Sequence, residues 1–311
     1  MKYSVSVVVV TRNRPALLAA LLGDVREQTQ PPSRIVVVDD SSDAVDWASR
    51  FPDLPMEVIR PPLRVFISAA KNLGWVRCDS EYVAFIDDDN RIPRDLLAHL
   101  ASDLSEHSNW GAVMPGVLYD RRPDLVWVYA TPFRPDRWGF TLIGRDRVRD
   151  PSWENRILPT DALPNLSMIR REALRQVGGF DERFPVNSSA DMCQRVKRTG
   201  AEVWADTGVL TRHNVDPPGV PGYWAEHTVN DPERARYEVA DWFRFHRRWN
   251  GNVSMFGLRA SYHSLGFLIP QLIAGGFRRG GRPFVLLAAL IAGWRDGLLS
   301  RVGEGPAPIG G

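Results

Sequence analysis

Cysteine is scarce here: Cys78 and Cys193 are the only two among 311 residues. Two thiols so far apart provide neither a disulfide framework nor a cysteine zinc site, and a reduced, cytosolic compartment suits them best. Net charge is nearly absent as well. Lys plus Arg number 39 against 37 Asp plus Glu, so no overall basic field advertises a nucleic-acid partner. Uninterrupted apolar runs are short, below the roughly 20 residues that a membrane-spanning helix needs. After Met1-Lys2-Tyr3 the chain runs straight into a strand pattern, and no signal peptide is expected. Internal repeats are lacking. So is a glycine-rich loop after the first strand pattern, where Thr11-Arg12-Asn13-Arg14 stands instead. That absence argues against a nucleotidyltransferase built on a phosphate-cradling loop.

What is present reads as a globular α/β chain, 44% hydrophobic and 24% charged. Its eleven tryptophans suit core packing better than stacking on sugars. Ser4–Val10, Arg34–Val38 and Tyr82–Ile86 are β-branched, apolar runs of the kind buried on both faces of a parallel sheet. Helical spacing separates them, over Ala16–Gln28 and Ser68–Val76, with a weaker strand near Met56–Ile59. Pro93 opens a further helix containing Leu96, Leu97 and Leu100. A strand at Leu166–Ile169, helices over Arg171–Val177 and Asp191–Thr199, and a short strand at Val203-Trp204 follow. Residues 113–150 predict strands mixed with a long loop. This β-α-β-α-β order implies a mostly parallel sheet flanked by helices, which binds ligands outside the carboxyl ends of its strands. Three strands end there in polar clusters: Thr11 to Arg14, Asp39 to Ser42, and Asp87 to Asn90.

Asp87, Asp88 and Asp89 are adjacent carboxylates that repel one another unless a cation or strong donors compensate. Alternation along extended chain lets Asp87 and Asp89 converge while Asp88 points elsewhere. Such oxygens suit Mg²⁺ or Mn²⁺ shared with a substrate diphosphate. Asp40 either accepts the imide N–H of uracil or thymine or caps the turn through Ser41 and Ser42. Lys71 and Asn72 offer a cation and an amide to a phosphate or base, or are ordinary surface groups. His213 is a lone histidine whose candidacy as a metal ligand depends on the acidic cluster.

Together these segments resemble family 2 of the inverting glycosyltransferases, which have the GT-A fold. The resemblance runs through V-V-V-V-T-R-N-R-P at Val7–Pro15, V-V-V-D-D-S-S at Val36–Ser42, A-K-N-L-G at Ala70–Gly74 and F-I-D-D-D-N-R-I-P at Phe85–Pro93. It ends with M-I-R-R-E-A-L-R-Q-V-G-G-F-D-E-R-F at Met168–Phe184, and order and spacing agree over roughly 210 residues. Bacterial rhamnosyl- and galactofuranosyltransferase-like members are the most similar. The resemblance implies that Thr11, Arg12 and Asp40 hold the pyrimidine of a UDP- or dTDP-sugar, with Arg14 and Asp88 among the donor contacts. It implies Lys71 and Asn72 beside base and diphosphate, and Asp87 and Asp89 with His213 around Mn²⁺ or Mg²⁺. The implied reaction is a single displacement on the anomeric carbon by a hydroxyl of a glycan or lipid-linked acceptor, as in cell-envelope polysaccharide assembly.

One position departs from the family pattern. Members carry Glu-Asp-x-Asp, whose first Asp is the general base, whereas this chain has Ser188-Ser189-Ala190-Asp191. A serine hydroxyl does not accept a proton at neutral pH. Asp191 is the first candidate for the base, an acid from the loop Asp146–Asp161 the second. A catalytically silent nucleotide-sugar binder that recruits a partner transferase is the alternative function.

By pattern the chain divides into a GT-A catalytic region (1–215), a helical C-terminal region (216–302) and a disordered tail (303–311). The apolar stretches Leu265–Phe277 and Phe284–Trp294 are flanked by Arg278, Arg279, Arg282, Arg295 and Arg301. They suit either a helix lying on the anionic inner face of a cell membrane, or a hairpin packed on the catalytic domain or on a second copy in a homo-oligomer.

Overall fold

The computed structural model describes residues 3–134, 139–220, 231–249, 265 and 283–300. In chain order the first elements are β1 (Val5–Thr11), α1 (Pro15–Arg26), β2 (Arg34–Asp39), α2 (Trp47–Arg50), β3 (Met56–Ile59), α3 (Ile67–Trp75), β4 (Tyr82–Asp87), β5 (Asn90–Arg91) and α4 (Leu96–Glu106). Then come β6 (Trp110–Tyr119), β7 (Val126–Val128), β8 (Phe133–Arg134), β9 (Gly139–Phe140), β10 (Ile157–Pro159), β11 (Leu166–Arg170), α5 (Arg171–Val177), α6 (Ser188–Arg198) and β12 (Glu202–His213). Two helices follow, α7 (Pro232–Trp249) and α8 (Pro283–Leu299).

The valine-rich strands lack polar alternation because both faces of the sheet are covered. Val5, Val7 and Val9 enter one core with Leu18 and Leu21 of α1 and Leu97 and Leu100 of α4. Val8, Val36 and Val38 enter the opposite core with Ala70 and Trp75 of α3, Leu174 of α5 and Met192 and Val196 of α6. The sheet order is β10-β12-β6-β11-β4-β1-β2-β3. β1 pairs in parallel with β2 and β4, β2 with β3, and β6 with β12. β11 runs antiparallel between β4 and β6. This is the GT-A arrangement expected of the sequence, a mostly parallel sheet with helices on both faces.

Two elements depart from their expected bounds, and both matter for the site. β12 runs twelve residues, well beyond Val203-Trp204. A bulge between Asp206 and Leu210 breaks its register against β6 and hides its pattern in the sequence. The short β5 then lies antiparallel on the far end of β12, pairing His213 with Asn90. Backbone pairing alone thus carries His213 to the acidic turn. Helix α6 begins at Ser188, so Asp191 lies inside its first turn.

Ala235, Val239 and Phe243 of α7 pack on Leu286 and Leu290 of α8. Phe245, also from α7, packs with Phe184 and Ala190 of the catalytic region. Of the stretch Leu265–Phe277 only Leu265 is described, and the tail 303–311 lies outside the described residues. Among the described residues no helix is long and apolar enough to cross a membrane.

Candidate active site

The carboxyl ends of β1, β2 and β4 form one edge, as the sequence implies. At the end of β4, Asp88 turns inward and is nearly sealed. Thr11 Oγ1 donates to it at 2.6 Å and Arg14 Nη1 at 3.1 Å. Burial pushes its carboxyl up to about 6, against the pull of Thr11 and Arg14. The same Arg14 Nη1 also donates to Asp89 Oδ2 at 2.9 Å, whereas Asp87 faces Lys71. Asp87 Oδ1 lies 3.8 Å from Lys71 Nζ. Burial holds Asp87 above the ordinary carboxylate range, partly offset by Lys71. Asp89 is also raised by burial, but His213 and Arg14 outweigh it and bring it below that range. His213 Nε2 stands 3.4 Å from Asp89 Oδ2, with the ring edge-on to Trp127.

Two buried atoms here make no hydrogen bond among the described residues: Asp89 Oδ1 and His213 Nδ1. Carboxylate oxygen and imidazole nitrogen are donors that suit a divalent cation whose shell a diphosphate completes, although the His213 nitrogen facing Asp89 is Nε2, not the unpartnered Nδ1. By the chemistry of its donors the set fits a metal.

On the β1–β2 side, Asp40 N donates to Thr11 O at 3.0 Å, holding the two strand ends together. Asp40 Oδ2 is buried and accepts no hydrogen bond among the described residues, with Arg12 Nε 3.5 Å away as an ion pair. Its neighbour Asp39 is fully committed. It accepts from Ser41 N, Trp47 Nε1 and Arg60 Nη2, bonds that overcome burial and lower its carboxyl. Of the Asp39-Asp40 pair, Asp40 is the one with an acceptor to offer.

Residues 6–178 match the family model described as glycosyl transferase family 2. The chain belongs to that family. A pre-mycofactocin glycosyltransferase of Mycobacterium tuberculosis is 27% identical over 223 residues, which cover 68% of this chain and 42% of that protein. The uncharacterized glycosyltransferase YwdF of Bacillus subtilis is 32% identical over 87 residues, 28% of this chain and 32% of that one. The chain thus spans less than half the length of these relatives. Two solved structures share the fold. One is a mannosyltransferase of Pyrobaculum calidifontis in complex with GDP-Man and Mn²⁺ (TM-score 0.58, 20% identity, 96% of this chain and 88% of that one). The other is GalNAc-T7 with UDP, GalNAc and Mn²⁺ (TM-score 0.57, 14% identity, 84% of this chain and 55% of that one).

In this family 2 glycosyltransferase, Asn72 does a different job from the one its motif implies. Its Nδ2 donates to Phe180 O and Glu182, and its Oδ1 accepts from Phe180 N and Trp75 Nε1. With both ends of the amide in use, Asn72 fastens the loop after α5 instead of facing a nucleotide. Gly179 is required beside it: φ is +72°, and a Cβ would fall 2.7 Å from Asn72 Oδ1. Lys71 differs. Its ammonium sits near the Phe180 ring and faces Asp87.

Asp191 is likewise not where a proton acceptor should be. It is fully buried. Arg195 Nε binds Oδ2 at 2.7 Å, while Arg248 Nη1 and Trp249 Nε1 bind Oδ1 at 2.7 and 3.0 Å. A carboxylate gripped by two guanidiniums and an indole offers no face to an acceptor hydroxyl, which argues against the role expected of it. Arg248 also spans to Asp181 at 2.8 Å. Within the loop Asp146–Asp161 the two ends are engaged as well, Asp146 by Tyr119 and Asp161 by Lys197, Gln194 and the amide of Phe133.

The residues that the motifs miss come from α7. Asp241 accepts the amides of Val186 and Asn187, both at 2.9 Å, just before α6. Burial pushes the Asp241 carboxyl up to about 7 despite these bonds. Glu238, half-buried one turn earlier, accepts from Asn187 Nδ2 at 3.0 Å. Burial raises its carboxyl above the ordinary glutamate range. Nothing near Ser189 in sequence signals either residue, since both arrive from about 50 positions later.

Proposed function

We propose that this enzyme transfers a sugar from a UDP- or dTDP-sugar to a hydroxyl of a glycan or lipid-linked acceptor, with inversion. The observation that carries the donor reading is the pair of open acceptors on one sheet edge, Asp40 Oδ2 and Asp89 Oδ1. Asp40 suits the imide N–H of uracil or thymine, with Thr11 and Arg12 beside it. Asp87, Asp89 and His213 are the residues that would hold Mn²⁺ or Mg²⁺, which when bound offsets charge on the departing diphosphate. Lys71 adds a fixed positive charge on the same side, and Arg14 lies over Asp88 and Asp89. The acceptor hydroxyl attacks the anomeric carbon as the diphosphate leaves, and its proton passes to a carboxylate. With Ser189 unable and Asp191 sealed, we place that base on Glu238, which reaches Asn187 at the start of α6 and whose carboxyl burial makes more basic than an ordinary glutamate. Solved relatives with GDP-Man or UDP and Mn²⁺ support a metal-assisted nucleotide-sugar reaction while differing in base.

The base preference is directly testable. UDP and dTDP should bind more tightly than CDP by about tenfold or more, because unprotonated N3 of cytosine would set two acceptors face to face. Calorimetry with Mn²⁺ present measures this. Equal affinities for UDP and CDP would remove Asp40 from the base site.

We also propose that the enzyme works at the inner face of the membrane through α8. That helix buries Leu286 and Leu290 against α7 but exposes Phe284 (74%), Ile291 (62%) and Leu299 (73%). An apolar face with an exposed Arg295 suits an anionic bilayer surface. The full chain should sediment with anionic liposomes at low salt, and Phe284→Glu with Ile291→Glu should release it. If the unaltered chain stays in the supernatant, the exposed face serves contact with a second copy instead.

A further inference from the structure

Away from the nucleotide edge, α4 and the bulge of β12 bring together a second set of metal-ligating groups. His99 and Asp103 are four residues apart on α4 and share a face. Asp206 reaches them from β12, immediately before the register break. One donor atom from each of the three lies within 4.8 Å of the others. We propose that His99, Asp103 and Asp206 form a binding site for one divalent transition-metal ion, distinct from the acidic turn at the end of β4.

The two places are well separated. Asp206 pairs with Pro115 and His213 with Tyr119 on β6, four residues apart, or about 13 Å along a strand. The second cluster is also incomplete as it stands. His99 Nε2 meets Asp206 Oδ2 at 2.7 Å, but Asp103 Oδ2 is buried and has no hydrogen bond among the described residues. The buried Asp206 thus sits between the His99 imidazole and the part-buried Asp103 carboxyl, with Asp95 adding negative charge and His107 the other nearby imidazole. Burial, then repulsion from Asp206, pushes the Asp103 carboxyl up to about 7. The bond to Asp206 raises the His99 imidazole, so an ion binding here displaces a proton.

Its surroundings are shaped for the purpose. Gly208 N donates to Asp206 Oδ1 at 2.6 Å and fixes that carboxylate, as outer partners of metal ligands do. A Cβ at Gly208 would stand 3.0 Å from Asp206 Oδ1 and 3.3 Å from His99 Nε2, crowding both ligands. One imidazole and two carboxylates with an open fourth position match Zn²⁺ or Co²⁺ in preference to Ca²⁺. Bound there, the ion would pin α4 to the bulge of the strand that carries His213.

The experiment uses the full chain carrying Asp87→Asn and Asp89→Asn, which disables the first site. Titration with Zn²⁺ by calorimetry, and with Co²⁺ by visible absorption, should still show one equivalent bound. Adding His99→Gln should weaken that binding at least about 100-fold, with the near-ultraviolet circular dichroism of the fold retained. Asp103→Asn, which keeps the shape and removes charge, should weaken it as well. The proposal is overturned if the double variant binds no Zn²⁺, in which case Asp103 and Asp206 simply share a proton. It is equally overturned if His99→Gln and Asp103→Asn bind the ion as tightly as their parent. Because the first site is already disabled, neither result bears on the nucleotide-sugar reading.

Discussion

Glu238→Gln should lower sugar transfer by roughly 10²–10⁴, the span expected when a general base is lost, with donor affinity unchanged. The residue reaches the start of α6 from α7, beside Asn187, and substitution by the amide keeps its shape. Asp191→Asn should behave differently. It leaves Arg195 and Arg248 buried beside a neutral group, a loss of about 3–5 kcal/mol when one partner of a buried ion pair is removed. Its signature is a lower denaturation midpoint, with near-normal turnover in the fraction that remains folded. Ser189→Asp placed on the Glu238→Gln background gives a third reading, since a recovered rate means that both positions reach the same proton. If Glu238→Gln transfers sugar normally while Asp191→Asn is stable and slow, the base is Asp191 and the assignment to α7 fails.

Asp89→Ala should weaken Mn²⁺-dependent UDP binding by about 100-fold or more, since it removes a ligand where even outer-shell changes cost 10–100-fold. The fold should persist, because Asp89 lies at the mouth of the site and His213 keeps its edge contact with Trp127. Calorimetry with and without Mn²⁺ separates the metal-dependent part of the affinity. Unchanged binding in the presence of metal would move the cation elsewhere.

The proposed donor edge was legible because its residues lie at the ends of strands whose valine runs identify them. Thr11, Asp40 and Asp87 to Asp89 follow directly from where those runs stop. His213 was harder to place, since the bulge after Asp206 interrupts its strand, and only the pairing with Asn90 carries it to the acidic turn. Asn72 was left open by its motif for a physical reason. A residue in a polar motif looks available until its partners are known, and Phe180, Glu182 and Trp75 come from a loop and a helix face that spacing does not reveal. Asp191 illustrates the same limit at longer range, because Arg248 lies 57 positions away. The second cation cluster left no motif at all, being split between a helix face and a bulge.

The grip of α7 on the rest of the chain has a thermodynamic consequence. Asp241 holds the backbone that leads into α6, and Arg248 joins Asp181 and Asp191 across the same seam. If the two sides part, Asp181, Asp191 and Asp241 keep Arg183, Arg195 and Arg244, but Arg248 loses both of its carboxylates, and a stranded charge in the interior is costly. These bonds cross the division at residue 215 drawn from sequence character. Separating the strand-rich part from α7 is therefore expected to destabilise both, read as a lower denaturation midpoint for a chain cut at that division.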